Sequence, residues 1–241
     1  AMSLIEILRV LYDNFLKYNP NKPNDKFRDR LILSKGHGCL ALYALLADKN
    51  FFDKKILSSA SKFNSILGGH PEYGKVPGVE ASTGALGHGP AIGVGMAIGA
   101  KLNKINYKTY VIVGDGEINE GSFWESSMIA SKHKLNNFHL IIDYNKIQSY
   151  GKTKEILDLE PLRKKLDSFG YRVSEVNGHD ISQLNKYFNK IKKNKIKPTA
   201  LICHTIKGKG FPFAENNPYW HHKNFFTNEE IKEINKYLGK K

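Results

Sequence analysis

The sequence predicts an α/β fold: a single domain with a mainly parallel sheet covered by helices on both faces. Three observations carry that expectation. Short apolar runs such as TYVIVG (109–114) and TALICHT (199–205) lack polar alternation, as strands buried on both faces require. Stretches with helical spacing separate these runs, and strand–helix alternation is the pattern of parallel crossovers. A length of 241 residues lets one layered domain bury a sizeable core without disulfides or metal staples.

The elements follow in chain order. Residues 4–16 (LIEILRVLYDNFL) carry apolar positions at helical spacing, and Pro20 and Pro23 then punctuate a polar loop. LIL (31–33) is a short strand that runs into Ser34-Lys35-Gly36-His37-Gly38, and CLALYALLAD (39–48) is a buried helix. Residues 68–89 are rich in Gly, Pro and His with little periodicity, the mark of an ordered functional loop. GPAIGVGMAIGAKL (89–102) reads as a tightly packed helix whose glycines allow close backbone approach. Strands are expected at 109–114, 138–145, 171–176 and 199–205, and helices at 122–134, 159–169, 181–194 and 228–238. Residues 211–218 form a loop rather than a boundary, and no repeat or low-complexity linker divides the chain, so one domain spans 1–241.

Lys+Arg 37 against Asp+Glu 23 gives a net charge of +14, which raises the question of an anionic partner. The basic groups are 32 Lys and only 5 Arg, alongside 21 Asn, a bias that reads as compositional drift. The densest cluster, KYFNKIKKNKIK (186–197), fits the solvated face of an amphipathic helix and the loop after it. Nucleic-acid binding favours arginine forks and an exposed aromatic platform, neither of which is present, so no nucleic-acid partner is expected. Two cysteines, Cys39 and Cys203, cannot build a disulfide framework and fit a reduced cytoplasmic setting. No apolar run approaches the ~20 residues that span a bilayer, so no membrane partner is expected, and residues 1–10 lack a basic-then-apolar leader pattern.

In open parallel sheets, ligands sit outside the carboxyl ends of the strands. Gly114-Asp115-Gly116 directly follows one strand, and Asp143-Tyr144-Asn145-Lys146-Ile147 closes the next, with Asn145 30 residues beyond Asp115. Two adjacent strand ends thus offer a carboxylate and an amide oxygen to one point, a donor set that suits a hard octahedral cation bridging phosphates, as Mg²⁺ does. Glycines flanking Asp115 let backbone N–H groups approach a diphosphate, and the following helix N-terminus adds favourable partial charge. Local structure offers competing uses: a helix N-cap for Asp115 and a strand-end turn for Asn145.

A strand ending in Gly-Asp-Gly, followed some thirty residues on by a strand ending in Asn, resembles the diphosphate-binding half of thiamine-diphosphate enzymes. Further motifs narrow the family. Leu33-Ser34-Lys35-Gly36-His37-Gly38 resembles the SxGH segment of transketolases. Gly69-His70-Pro71-Glu72 and the run PGVEASTGALGHG (77–89) are similar to their GHPE…PGVE segment, and GDGE..EG (114–121) and DYNKIQ (143–148) follow in the family's order. Weaker similarity (KGKG, then ENN and WH) continues to His221.

The resemblance implies thiamine diphosphate and Mg²⁺ (or another divalent cation such as Ca²⁺ or Mn²⁺) as cofactors. It makes Asp115 and Asn145 side-chain metal ligands and the carbonyl of Ile147 a third. Gly116 gives an amide to the diphosphate, and Gly84 and Leu86 line the cofactor's rings. His37 and His70 match active-site histidines that bond the diphosphate and the sugar's hydroxyls and can move protons. His221 matches a later active-site histidine, with His222 as its rival in the Trp220-His221-His222 context. Glu120 joins the cofactor-binding set and matches a family glutamate at the subunit contact; its local alternative is a first-turn carboxylate at a helix N-terminus. His88 either contacts substrate or only packs.

The implied reaction is transfer of a two-carbon ketol unit from a ketose or its phosphate to an aldose, with the cofactor carrying the chemistry. The family's second, pyrimidine-binding domain has no counterpart in these residues. A split enzyme is therefore expected, with this chain as the N-terminal subunit and a separate C-terminal subunit completing each active site in a self-associating α2β2 assembly. A histidine-containing segment that precedes the first helix in relatives is also absent, so the start of the family domain is expected to be missing. Two alternatives share the GDG…N signature: the α subunit of a 2-oxo-acid dehydrogenase or sugar-precursor synthase, and an accessory subunit that binds cofactor without turnover.

Overall fold

The structure, a computed structural model, describes every residue except 193, 195, 221, 222, 224, 240 and 241. Its strands are β1 (Arg30–Leu33), β2 (Thr109–Gly114), β3 (Phe138–Tyr144), a short hairpin of β4 (Ile147–Gln148) and β5 (Gly151–Lys152), then β6 (Arg172–Asn177) and β7 (Thr199–His204). Five of them form one sheet in the order β1-β2-β3-β7-β6, and every pairing in it is parallel. The helices are α1 (Ile5–Val10), α2 (Cys39–Asp48), α3 (His88–Leu102), α4 (Gly121–Lys132), α5 (Thr153–Ile156), α6 (Leu162–Ser168), α7 (Ile181–Ile191) and α8 (Asn228–Tyr237).

Successive strand residues face opposite sides of a sheet, and here both sides are apolar. Tyr110, Ile112, Ile141 and Leu201 enter one core, shared with Leu8 of α1, Leu42 and Leu46 of α2, and Leu184 and Phe188 of α7. Val111, Val113, Leu140, Ile142 and Ile202 enter the other, shared with Val94 of α3, Phe123 of α4, and Leu162 and Leu166 of α6. This explains why β2, β3 and β7 show no polar alternation: neither of their faces meets water, whereas the edge strand β6 exposes Arg172, Glu175 and Asn177. The expected α/β sheet covered on both faces is therefore present.

Element boundaries shift for local reasons. The first helix is regular only to Val10; Leu11–Phe15 widens into a π turn, with the Leu16 amide bonded 2.8 Å to the carbonyl of Leu11. The helix expected at 159–169 starts at Leu162, with Pro161 at the N-cap, because a proline steers the residue before it, Glu160, out of the helical region. The helix expected to 194 ends at Ile191. The β4–β5 hairpin went unpredicted, since two-residue strands are too short to show a period. Only part of the glycine reading of α3 holds. A Cβ on Gly89 or Gly93 would overlap Ser34 or Val111, so these two allow close approach, whereas Gly95 and Gly99 face open space.

One polar pair is buried inside the sheet. His139 of β3 and Thr199 of β7 share a 2.8 Å hydrogen bond, and burial pushes the imidazole down to about 3, so it is neutral. Among the described residues no helix is long and apolar enough to cross a membrane.

Candidate active site

Four strands deliver polar groups to the carboxyl edge of the sheet. β1 runs into Ser34 and Lys35 and then a 3-10 turn, Gly36–Gly38, which carries His37. β2 ends at Gly114, and Asp115 caps the turn Gly116–Asn119. β3 ends at Tyr144, followed by Asn145, and β7 is followed by Thr205. The register sets Gly114 beside Asp143 and Asp143 beside Cys203, so these ends lie level.

Asp115 and the 145–147 turn fold onto one another, as the spacing predicts. Asp115 is 2% exposed. Its Oδ1 accepts from the Gly116 amide at 2.8 Å, and its Oδ2 accepts from the amide of Lys146, whose φ of +65° bends the chain back. Asn145 Oδ1 accepts from the Ile147 amide at 3.1 Å. The competing local uses are thus both realised, yet they do not exhaust the donor set. An ionised carboxylate has about four acceptor positions and an amide oxygen two. Among the described residues no side-chain cation lies within ion-pair distance of Asp115. Burial pushes its carboxyl up to about 6, even with Lys35 in the neighbourhood. A buried carboxylate that lacks a counter-ion and keeps acceptor capacity fits a divalent cation. Beside this turn opens a cleft of about 670 Å³ whose walls include Tyr144, Lys146, Ile147, His204 and Thr205.

On the neighbouring strand, beside Gly114, Asp143 is already neutralised. Lys35 Nζ lies 2.6 Å from its Oδ2, Ser3 Oγ donates to the same oxygen at 2.7 Å, and the Thr205 hydroxyl donates to Oδ1. Burial acts to raise this carboxyl, but the Lys35 ammonium and the two hydroxyls outweigh it and hold the group at about 2. Lys35 reaches Asp143 by passing over the bare Cα of Gly114, where a Cβ would sit 3.7 Å from its stem. Lys207, in the KGKG segment, belongs to the same electrostatic group: burial and the Lys35 charge lower its ammonium to about 8.

The glycine-rich loop closes the other side. His70 is exposed, and its ring packs against two glycines: a Cβ on Gly36 or Gly84 would stand 2.8 or 2.9 Å from its Cδ2. This brings His70, Gly84 and the segment carrying His37 together at the end of β1. Thr83 anchors the loop by donating 2.7 Å to the carbonyl of Leu33. Leu86 is half-buried, and Gly87 turns the chain with φ +81° into α3, whose first residue, His88, is exposed. Glu120 is exposed at the N-cap of α4 and lies against Gly87, where a Cβ would come 2.7 Å from its own. His221 and His222 lie outside the described residues.

Sequence reasoning passed over Lys35, Asp143 and Glu117, although all three stand inside motifs it singled out. The signal was present for one of them: an acidic residue at position 143 interrupts an otherwise apolar, doubly buried run and must have a partner. Glu117 is 2% exposed, with its Oε1 accepting from the Ser34 hydroxyl and the Gly87 amide and its Oε2 from the Gly114 amide. Burial raises its carboxyl, and these donors and Lys35 partly offset that.

A parallel sheet whose carboxyl edge gathers buried carboxylates, glycine turns and histidines defines an α/β domain of the cofactor-binding class. The chain belongs to the transketolase family: the family described as "Transketolase, thiamine diphosphate binding domain" matches residues 1–241. It is 43% identical over 221 residues to a subunit of the apulose-4-phosphate transketolase of Phocaeicola vulgatus, covering 92% of this chain and 78% of that one. It is 38% identical over 215 residues to the 6-deoxy-6-sulfo-D-fructose transketolase subunit SqwG of a Clostridium species, covering 89% and 78%. The crystal structure of transketolase from Campylobacter jejuni superposes with a TM-score of 0.89 at 34% identity, over 97% of this chain and 38% of that one. The chain therefore spans little more than a third of that solved transketolase.

Proposed function

We propose that this chain is the N-terminal subunit of a split, thiamine-diphosphate- and Mg²⁺-dependent transketolase. The observation that carries this reading is the closure of the 145–147 turn on Asp115, at adjacent strand ends of a chain in the transketolase family. The Asp115 and Asn145 side chains and the Ile147 carbonyl hold the cation, Mg²⁺ or another divalent ion such as Ca²⁺ or Mn²⁺. Gly116 gives its amide to the diphosphate, and Gly84 and Leu86 line the rings, with Glu120 alongside. When bound, the cofactor supplies an electron sink that lets a two-carbon ketol unit leave a ketose and join an aldose.

The chain's own residues bind and orient around that chemistry. His70 is fixed by the two glycines under its ring, so an exposed imidazole is presented at a set place for substrate oxygens and for moving a proton. His37, carried on the turn after β1, bonds the diphosphate in this reading, and His221 is assigned as the later active-site histidine. Lys35 and Asp143 keep the floor of the site neutral and rigid, so the strand ends hold still while ligand exchanges above them.

The partner in this reading is a separate C-terminal subunit carrying the pyrimidine-binding domain, and the assembly is α2β2. Relatives named as individual transketolase subunits support a second, complementary chain. Self-association is supported by α3 and α4, which leave Ile92, Leu102, Met128 and Ile129 exposed, with Gly95 and Gly99 of α3 facing open space. A cytoplasmic setting is supported by Cys39 and Cys203, both free and buried. The substrates are sugars or sugar phosphates, and residues 1–241 act as one domain.

The test is reconstitution. The chain, its partner subunit, thiamine diphosphate and Mg²⁺ are mixed, and two-carbon transfer from a ketose phosphate to an aldose is assayed. Transfer that needs all four components is the expected result; an assembled complex that binds no cofactor would sink the reading.

A further inference from the structure

Glu117 does something that none of the assignments above uses. Its carboxylate joins three separate segments. Ser34 belongs to the end of β1, Gly114 to the end of β2, and Gly87 to the turn that starts α3. The Gly87 and Gly114 amides stand 2.9 and 3.1 Å from its two oxygens. Each partner is pinned on its far side. The Ser34 amide bonds the Ile112 carbonyl of β2 at 2.8 Å, and the Ser34 side chain fills the space a Cβ on Gly89 would need. Gly87 is wedged against Glu120 and Ser122, and its φ of +81° suits glycine. A small displacement of Glu117 therefore moves the loop ending at Gly87 relative to the turn beginning at Gly114.

We propose that Glu117 is a positioning residue for the cofactor: it sets the separation between the ring-facing segment 84–87 and the diphosphate-facing turn 114–116. The proposal rests on the cofactor assignment made above. Its chemical requirement is an acceptor with no donor of its own, because all three contacts are donors. A glutamine of equal size cannot meet it. With the amide oxygen toward Ser34 and Gly87, the NH₂ group faces the Gly114 N–H; with the amide flipped, it faces the Gly87 N–H. Ser34 can turn its hydroxyl to accept, but a backbone amide cannot, so one buried N–H stays unpaired in either orientation.

The experiment compares wild type, Glu117→Gln, Ser34→Ala and Tyr171→Phe in the full chain assembled with its partner subunit. Tyr171→Phe removes a buried hydroxyl 3.3 Å from Ser127, next to the amino-terminal end of β6, and controls for stability loss alone. Affinities for thiamine diphosphate and for inorganic diphosphate are measured at saturating Mg²⁺, with amide exchange followed on the cofactor-free complex. Glu117→Gln is expected to speed exchange at Gly87 or Gly114 and to weaken thiamine diphosphate tenfold or more. Inorganic diphosphate touches only one of the two segments, so its affinity should hold within about threefold. Ser34→Ala should show the same split in milder form, and Tyr171→Phe no split. Equal losses for both ligands, or none, would overturn the positioning role while leaving the cofactor reading intact. Wild type that binds neither ligand would overturn both.

Discussion

The ends of β2 and β3 each carry a carboxylate with almost no exposure, one strand apart, and the two behave oppositely. Asp143 is held at about 2, because Lys35, Ser3 and Thr205 overcome the effect of burial. Asp115 is pushed up to about 6 by burial, which the nearby Lys35 charge and two backbone amides only partly offset; among the described residues it has no cation in contact. Burial is the same; the source of the compensating charge differs. At the end of β3 the chain brings its own cation from β1. At the end of β2 no side-chain cation of the described residues stands against Asp115, and the metal site proposed above makes use of that asymmetry.

The comparison can be broken most severely at Asp143. Asp143→Ala strands the Lys35 ammonium in the interior, and a loss of about 3–5 kcal/mol is expected in chemical denaturation. Adding Lys35→Met should restore most of it, since an apolar pair of similar volume no longer buries an unpaired charge. A double variant as unstable as the single one would show that the ion pair is not what secures this floor.

Asp115→Ala should have the reverse profile, with little effect on folding and a large one on ligand. Cation-dependent retention of thiamine diphosphate by the assembled complex is expected to fall at least about a hundredfold, or roughly 3 kcal/mol. Unchanged retention in equilibrium dialysis would refute the ligand assignment for this residue.

Acidity separates the two carboxylates without removing either. The folded-state value of Asp115 lies above its unfolded one, so the folded chain binds the extra proton and stability falls as pH rises from about 4 to 6. Asp143 lies below its unfolded value, so its contribution is full above about 4 and is lost as pH drops toward 2. Calorimetry of the cofactor-free chain should show both slopes. Asp115→Asn should flatten the upper one, with a change on the order of 2 kcal/mol across that window. A slope that survives in Asp115→Asn would place its origin elsewhere.

Smaller still is the loss of one hydroxyl from the Asp143 cluster. Ser3→Ala or Thr205→Val removes one of its hydrogen bonds and should cost about 1–2 kcal/mol, leaving the Lys35 pair intact. If either matched Asp143→Ala in denaturant midpoint, the hydroxyls rather than the ammonium would be dominant.

Much of this is legible in the sequence. Strand positions followed from apolar runs long enough to exclude a polar face, and Gly114-Asp115-Gly116 and Asn145 announced themselves by closing two such runs. The departures came where a feature is too short or too remote to leave a period. The β4–β5 hairpin has two residues per strand. The start of α6 depends on one proline. Lys35 and Asp143 meet across 108 residues, and Ser34 and Glu117 across 83.

By itself the sequence determined the parallel sheet, its two apolar faces and the family to which the chain belongs, because these depend on local periodicity and on motifs read in order. What only the tertiary structure decided is how the charges at the carboxyl edge are settled. Lys35, Glu117 and Asp143 sit within motifs whose other residues drew the functional reading, and nothing in their spacing tells which carboxylate will be neutralised from within. That choice is made by parallel register, which sets β1, β2 and β3 side by side and lets one lysine cross a glycine to reach the far strand. Asp115, at the end of the middle strand, is left with no side-chain cation in contact among the described residues.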